Sequence, residues 1–146
     1  MNFPIHPIPY LYPQILPMIF KDKVILITGA TSGIGEACAE VFGREGAKIA
    51  ITGRNPQKLD QTTLKLRSQH IQVLPILADA GSEADNRRMA EETLSHYGRL
   101  DILINNAGIS MRALFQDLDM EVFHKVMDTN FWGTVYATKY LSLIHI

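Results

Sequence analysis

An α/β fold, a doubly wound parallel sheet truncated after its fourth strand and the helix that follows, is predicted by three observations. From Lys21 onward, apolar runs of strand length alternate with segments of helical period. A glycine-rich turn, Thr28-Gly29-Ala30-Thr31-Ser32-Gly33-Ile34-Gly35, joins the first run to the first helix. A second turn of small residues, Asn105-Asn106-Ala107-Gly108, follows the fourth run.

Each element has its own signal. Lys23–Ile27 reads as a buried strand, and Ile34, Ala37, Cys38, Val41 and Phe42 then recur on one helical face. Gly46 ends that helix ahead of a second strand, Ala47–Thr52. Asn55-Pro56 offers an N-cap and a first-turn proline for a polar helix reaching about Gln69. Ile71–Leu77 is a third strand. Ser82 with Asp85 opens the next helix, with Met89, Ala90, Thr93, Leu94 and Tyr97 inward, and Gly98 ends it. Asp101–Asn105 is the fourth strand. A last helix starts near Asp119, its inner face carrying Phe123, Val126, Met127, Thr134 and Ala137. Residues 1–20 are apolar, but Pro4, Pro7, Pro9, Pro13 and Pro17 interrupt them too often for a membrane helix, and no basic start marks a secretory signal. They are expected to form an extension outside the fold, which occupies 21–146.

Composition removes several function classes. With 146 residues the chain can bury one core, and a formal net charge of −1 gives no pull toward nucleic acid or anionic membranes. The single cysteine, Cys38, can form no internal disulfide and reads as a small core residue. His6, His70, His96, His124 and His145 are scattered, so no metal site is expected. A cytoplasmic location is the expectation.

A glycine-rich turn entering a helix leaves main-chain N–H groups pointing into free space with the positive end of the helix dipole behind them, an arrangement that holds a pyrophosphate. A P-loop would end in Gly-Lys-Ser/Thr, and Gly33-Ile34-Gly35-Glu36 stands there instead, which argues against nucleoside triphosphate hydrolysis. Ligands of open parallel sheets bind beyond the carboxyl ends of the strands, where the strand order switches. The first and fourth strands flank that switch, so the two turns are expected to share one crevice.

With these motifs, Asp79 after the third strand, and Asn130 in Asp128-Thr129-Asn130-Phe131-Trp132-Gly133, the chain resembles the short-chain dehydrogenase/reductase family over roughly residues 21–140. The resemblance implies a Rossmann-type fold and an NAD(P)-dependent oxidoreductase that interconverts a carbonyl and an alcohol. By it, Gly29, Ser32, Gly33, Ile34 and Gly35 take the pyrophosphate end, Asp79 the adenine, and Asn106, Ala107 and Gly108 the ribose side. It also implies a homo-oligomer, dimer or tetramer, joined through the helix that holds Asn130. Asp79 may alternatively be read as a turn cap before Ser82.

The choice of cofactor has a physical argument. An acidic residue about 20 positions past the glycine turn binds the ribose hydroxyls of NAD and repels a 2′-phosphate. Here the second strand ends Ile51-Thr52-Gly53-Arg54-Asn55 with no acid before Asp60. Arg54 presents a planar cation, with Asn55 as a helper, so NADP(H) is expected over NAD(H).

The resemblance makes Asn130 the asparagine of the proton relay and places a serine and a Tyr-x-x-x-Lys beyond a fifth strand. No tyrosine here stands four residues before a lysine. The chain as given is therefore expected to lack normal turnover. Leu141–Ile146 reads as translated sequencing-adapter sequence, and the natural protein is expected to be longer. The rival readings are a non-catalytic NADP-binding sensor or scaffold, and a translated fragment without activity.

Overall fold

The structure, a computed structural model, describes residues 18–142. Residues 1–17 of the expected extension and 143–146 of the expected adapter-like tail lie outside the described residues. In chain order the elements are β1 (Val24–Ile27), α1 (Gly33–Arg44), β2 (Lys48–Gly53), α2 (Pro56–Ser68), β3 (Val73–Leu77), α3 (Glu83–Tyr97), β4 (Ile102–Ile104), α4 (Met120–Met127) and α5 (Gly133–Ser142). A 3₁₀ turn at Phe115–Asp117 precedes α4, and a π-helical turn, Asp128–Trp132, joins α4 to α5.

The four strands pair in parallel in the order β3-β2-β1-β4. Ile25 stands beside Ile49 on one side and Ile102 on the other. Successive side chains of a strand point to opposite faces, so β1 feeds two cores. Ile25 and Ile27 join Ala39, Leu59 and Leu66 under α1 and α2. Val24 and Leu26 join Met89, Ala90, Ala137 and Leu141 under α3 and α5. Both faces are thus covered, as a parallel sheet requires. The Tyr97 hydroxyl, whose pKa burial pushes up to about 12, donates to the Ile49 carbonyl at 3.2 Å and ties the end of α3 to β2.

Four sequence expectations need correction. Phe20, assigned to the extension, packs edge-on against Phe42 with ring centroids 4.8 Å apart, so the described fold begins a few residues before Lys21. On α1 the inward face is only partly the one that hydrophobicity marks: Cys38 and Phe42 pack against the core as expected, but Ile34 and Val41 do not. Gly35 and Ala39 are buried, whereas Ile34 is 77% exposed and Val41 56%. The helix lies so close to the turn before it that a β-carbon at Gly35 would stand 2.7 Å from the Gly29 carbonyl oxygen. Only the smallest side chains fit that face.

The fourth strand is shorter than expected at both ends, although the Asp101 N–H still donates to the Val24 carbonyl at 2.9 Å. The Asp101 carboxylate accepts the Val24 N–H at 2.9 Å, and the Asn105 amide donates to Thr138 Oγ1 at 3.3 Å. The last helix is not continuous. The π turn inserts an extra residue and rotates the face that follows it. Thr129, Gly133, Ala137 and Leu141 are the buried positions, while Thr134 is exposed and Met127 is 49% exposed. Gly133 allows this approach, since a β-carbon there would lie 2.6 Å from the Ala80 carbonyl oxygen.

Candidate functional site

β1 sits between β2 and β4, so the chain runs outward on one side and returns on the other. The strand order reverses there, and the loops after β1 and β4 separate to leave a crevice. One side chain holds them in register. Thr28 Oγ1 accepts the N–H groups of both Asn106 and Ala107 at 3.0 Å, while its own N–H donates to the Ile104 carbonyl at 3.0 Å. From the other loop, Asn106 Nδ2 donates to the carbonyls of Thr28, at 3.1 Å, and Gly29, at 3.0 Å. Gly29 has φ 63°, and a β-carbon on it would stand 2.8 Å from Ala107 Cα. A glycine is required on both counts.

A cavity of about 380 Å³ opens above this junction. Of the residues assigned to the cofactor from sequence, Gly29, Ser32, Ile34, Arg54, Asn55, Asp79, Asn106, Ala107 and Gly108 line it. Gly33 and Gly35 do not. Gly33 opens α1 with φ 59° and empty space where a side chain would stand, and Gly35 is buried beneath Asn106. Thr31, Lys58, Ala80 and Thr129 also line the cavity and escaped the sequence reading. Ile109, which the sequence places after Gly108 at the substrate mouth, lines it too. Lys58 carried a usable signal, since it stands three residues after the Asn55 cap on the helix that the cap predicts.

The charges divide the cavity. Arg54 and Lys58 make no ion pair or hydrogen bond through their side chains among the described residues. By contrast Lys65 pairs with Glu36 and Glu40, and Arg88 with Asp85 and Glu92. Asn55 does two things: its Oδ1 accepts the Lys58 N–H at 2.9 Å and caps α2, and it stands in the cavity wall.

The Asp79 loop is built from behind. Asp79 Oδ1 accepts the Gly81 N–H at 2.9 Å, so the turn-cap reading holds while the residue also faces the cavity. The Asp79 N–H donates to Asp85 Oδ2 at 2.8 Å, and Arg88 bridges Asp85 Oδ1 to the Leu77 carbonyl. That main-chain N–H, together with Arg88, holds the Asp85 carboxyl below the usual carboxylate range. Buried Asn86 donates to the Ala80 and Ser82 carbonyls at 2.7 Å. The Asp-Asn-Arg cluster at the start of α3 was visible in the sequence, but its partners were not.

Asn130 was expected to face inward as a buried amide. It is exposed, because the π turn carries it to the rim. Its amide is nonetheless fully used: Oδ1 accepts the Ile109 N–H and Nδ2 donates to the Ile109 carbonyl, each at 2.8 Å. It does not line the cavity itself but fixes the loop that does. Among the described residues no three His, Cys, Asp or Glu side chains gather in a way that could hold a metal ion. No described helix is long and apolar enough to cross a membrane.

Comparison with known proteins agrees with this geometry. The chain is 40% identical over 119 residues to an uncharacterized oxidoreductase of Bacillus subtilis, YxnA, covering 82% of this chain and 33% of that protein. It is 41% identical over 130 residues to a peroxisomal 2,4-dienoyl-CoA reductase of Arabidopsis thaliana, covering 86% and 44%. The chain thus spans less than half the length of these curated relatives. A crystal structure of a short chain dehydrogenase from Burkholderia cenocepacia in complex with NADP superposes with TM-score 0.81 at 25% identity, covering 86% of this chain and 51% of that one. A short-chain dehydrogenase/reductase from Caenorhabditis elegans, solved with cofactor, gives 0.80 at 30% identity, covering 86% and 49%. The sequence model of the family described as short chain dehydrogenase matches residues 23–143, which contain both loops and every strand, and the chain belongs to that family.

Proposed function

We propose that this chain is the coenzyme-binding portion of an NADP(H)-dependent oxidoreductase that interconverts a carbonyl and an alcohol. The observation that carries the reading is the cleft at the strand-order switch, with two unpaired cations, Arg54 and Lys58, at the end reached by β2 and α2. The residues present fit a dinucleotide. Gly29 and Gly33 leave room that a β-carbon would fill or strain. Ser32 and Ile34 stand at the start of α1, where main-chain N–H groups attract an anion. The Asn106–Gly108 segment after β4 closes the opposite wall, and Asp79 after β3 stands beside the β2 end. Arg54 would hold a 2′-phosphate through paired N–H donors, and the end of β2, Thr52-Gly53-Arg54-Asn55, carries no acidic side chain to favour a bare ribose. When bound, the nicotinamide supplies or accepts the hydride. Asn130 keeps the Ile109 loop in place and anchors the proton relay of the reaction.

The chain alone binds NADP(H) without turning it over, since it has no tyrosine four residues before a lysine to hand a proton to the alkoxide. Its proposed place of action is the cytoplasm. It pairs with a second copy through the side that α4, the π turn and α5 leave uncovered. There Met127, Phe131 and Trp132 are 43–50% exposed, and Trp132 stacks on Tyr136 at 5.9 Å.

Calorimetric titration of the 146-residue chain with NADPH and NADH tests the cofactor reading. Charge-assisted hydrogen bonds of about 1.5–3 kcal/mol predict a preference of about tenfold or more for NADPH, reversed in Arg54→Asp. A variant that still prefers NADPH would refute the assignment.

A further inference from the structure

The glycine-rich turn brings no basic side chain to the cleft, since Thr28–Gly35 contains neither Lys nor Arg. A 2′-phosphate carries close to two negative charges at neutral pH, so one guanidinium leaves it under-neutralised. The missing charge is supplied from elsewhere in the fold. Arg54 lines a second cavity of about 190 Å³ as well as the main cleft, and the far side of that smaller cavity is formed by Val122 and Lys125 of α4. Ile109 also belongs to both cavities, so the two are adjoining rather than separate sites. Like Arg54 and Lys58, Lys125 makes no side-chain ion pair or hydrogen bond among the described residues. Two ammonium groups without a counter-ion flanking one guanidinium repel it, and an anion that joins them relieves the repulsion.

We propose that Lys58 and Lys125 complete a three-cation cradle with Arg54 for the 2′-phosphate, making Lys125 of α4 a specificity-determining residue for the phosphorylated cofactor. This rests on the NADP(H) reading above and extends it to an element that lines the adjoining cavity. The phosphate then links α2, which carries Lys58, to α4, which packs against the Asn130 turn. Cofactor choice and the order of the Ile109 loop become coupled.

The test uses the full 146-residue chain with NADPH, NADH, 2′,5′-ADP and 5′-AMP as probes, in Lys58→Ala, Lys125→Ala and Lys125→Arg. Because exposed ion pairs are individually weak, each alanine variant should weaken NADPH and 2′,5′-ADP by about three- to fivefold. NADH and 5′-AMP should stay within twofold, roughly the error of such a titration. Lys125→Arg should retain wild-type affinity. The salt dependence of NADPH binding should also become shallower in each alanine variant. If wild type binds NADPH and NADH equally, the NADP(H) reading fails and the cradle with it. If wild type and Arg54→Asp behave as proposed but Lys125→Ala leaves NADPH unchanged, or weakens NADPH and NADH alike, the cradle alone is overturned.

Discussion

β1 and β4 carry the two loops that meet across the cleft, yet they are anchored very differently. Every residue of β1 is buried and the strand is paired on both sides. The three residues of β4 are half-buried, and among the described residues β4 pairs only with β1. The turn after β1 is pinned by Thr28 and Asn106, whereas the segment after Gly108 is mostly exposed until α4 and is held chiefly by Asn130. The β1 side of the cleft is therefore preformed. The side that orders the reacting end depends on a few hydrogen bonds, and substitutions on the two sides should differ in size accordingly.

The largest effect should come from the β1 turn. In Gly29→Val the new side chain meets both a φ of 63° and Ala107 Cα at 2.8 Å. Left-handed strain and overpacking together should cost about 3 kcal/mol in urea denaturation. The same loop junction on the β4 side offers the contrast. A β-carbon at Gly108 would meet nothing nearer than Asn130 Oδ1 at 3.5 Å, so Gly108→Ala should change stability by less than about 0.5 kcal/mol. Equal losses in the two variants would break the distinction between a rigid and a loosely held wall.

Next in size is Asn130→Ala. It removes both 2.8 Å bonds to Ile109, worth about 1–2 kcal/mol together because each net contribution is near 1 kcal/mol. The expected signature is local. Amide exchange at Ile109 should accelerate while exchange in β1 stays slow, and protection lost throughout the sheet would contradict it.

The same contrast explains what the sequence made legible. Strand–turn–helix at the first glycine motif was readable because period, glycine spacing and neighbouring elements all agree there. The inward face of α1 was partly misread because hydrophobic periodicity ranks Ile34 and Val41 above Gly35 and Ala39, whereas close approach to the turn selects for size. The break at Asp128–Trp132 carries no residue signature, so a continuous helix was the natural reading, and Asn130 was placed inside rather than on the rim. Lys58 and Lys125 gained meaning only when two distant helices were brought to adjoining cavities that share Arg54 and Ile109. Motif residues that depend on their own turn were found, and those that depend on a neighbour from another element were not.

A smaller effect is expected in acid. Asp85 has its carboxyl pKa lowered by the Asp79 N–H and by Arg88, so the folded value lies below the unfolded one. Its contribution is present above the unfolded pKa near ~3.9 and disappears as pH falls through the lower folded value. Asp85→Asn keeps an acceptor for the Asp79 N–H but no charge, and should lose about 0.5–1 kcal/mol near neutrality. Its melting temperature should converge with wild type at the acid end. A constant gap at every pH would show that charge plays no part in holding the Asp79 loop.

The smallest effect belongs to the rim of the α3–α5 contact. Glu83 accepts from Tyr140 at 2.8 Å and from Lys139 at 3.1 Å, and the Tyr140 hydroxyl, followed by Lys139, holds its carboxyl below the usual range. All three groups are open to water, which screens the attraction, and ordering a long lysine opposes it. The contact is instead closed by Ala137 and Leu141 against Met89 and Ala90 beneath. Lys139→Ala should therefore leave the unfolding free energy unchanged within error, while Ala137→Leu, with no space at a fully buried position, should lower it by about 1–3 kcal/mol. A Lys139 effect as large as the Ala137 effect would mean that ions, not the apolar seam, fix α5 and the Asn130 turn that it continues.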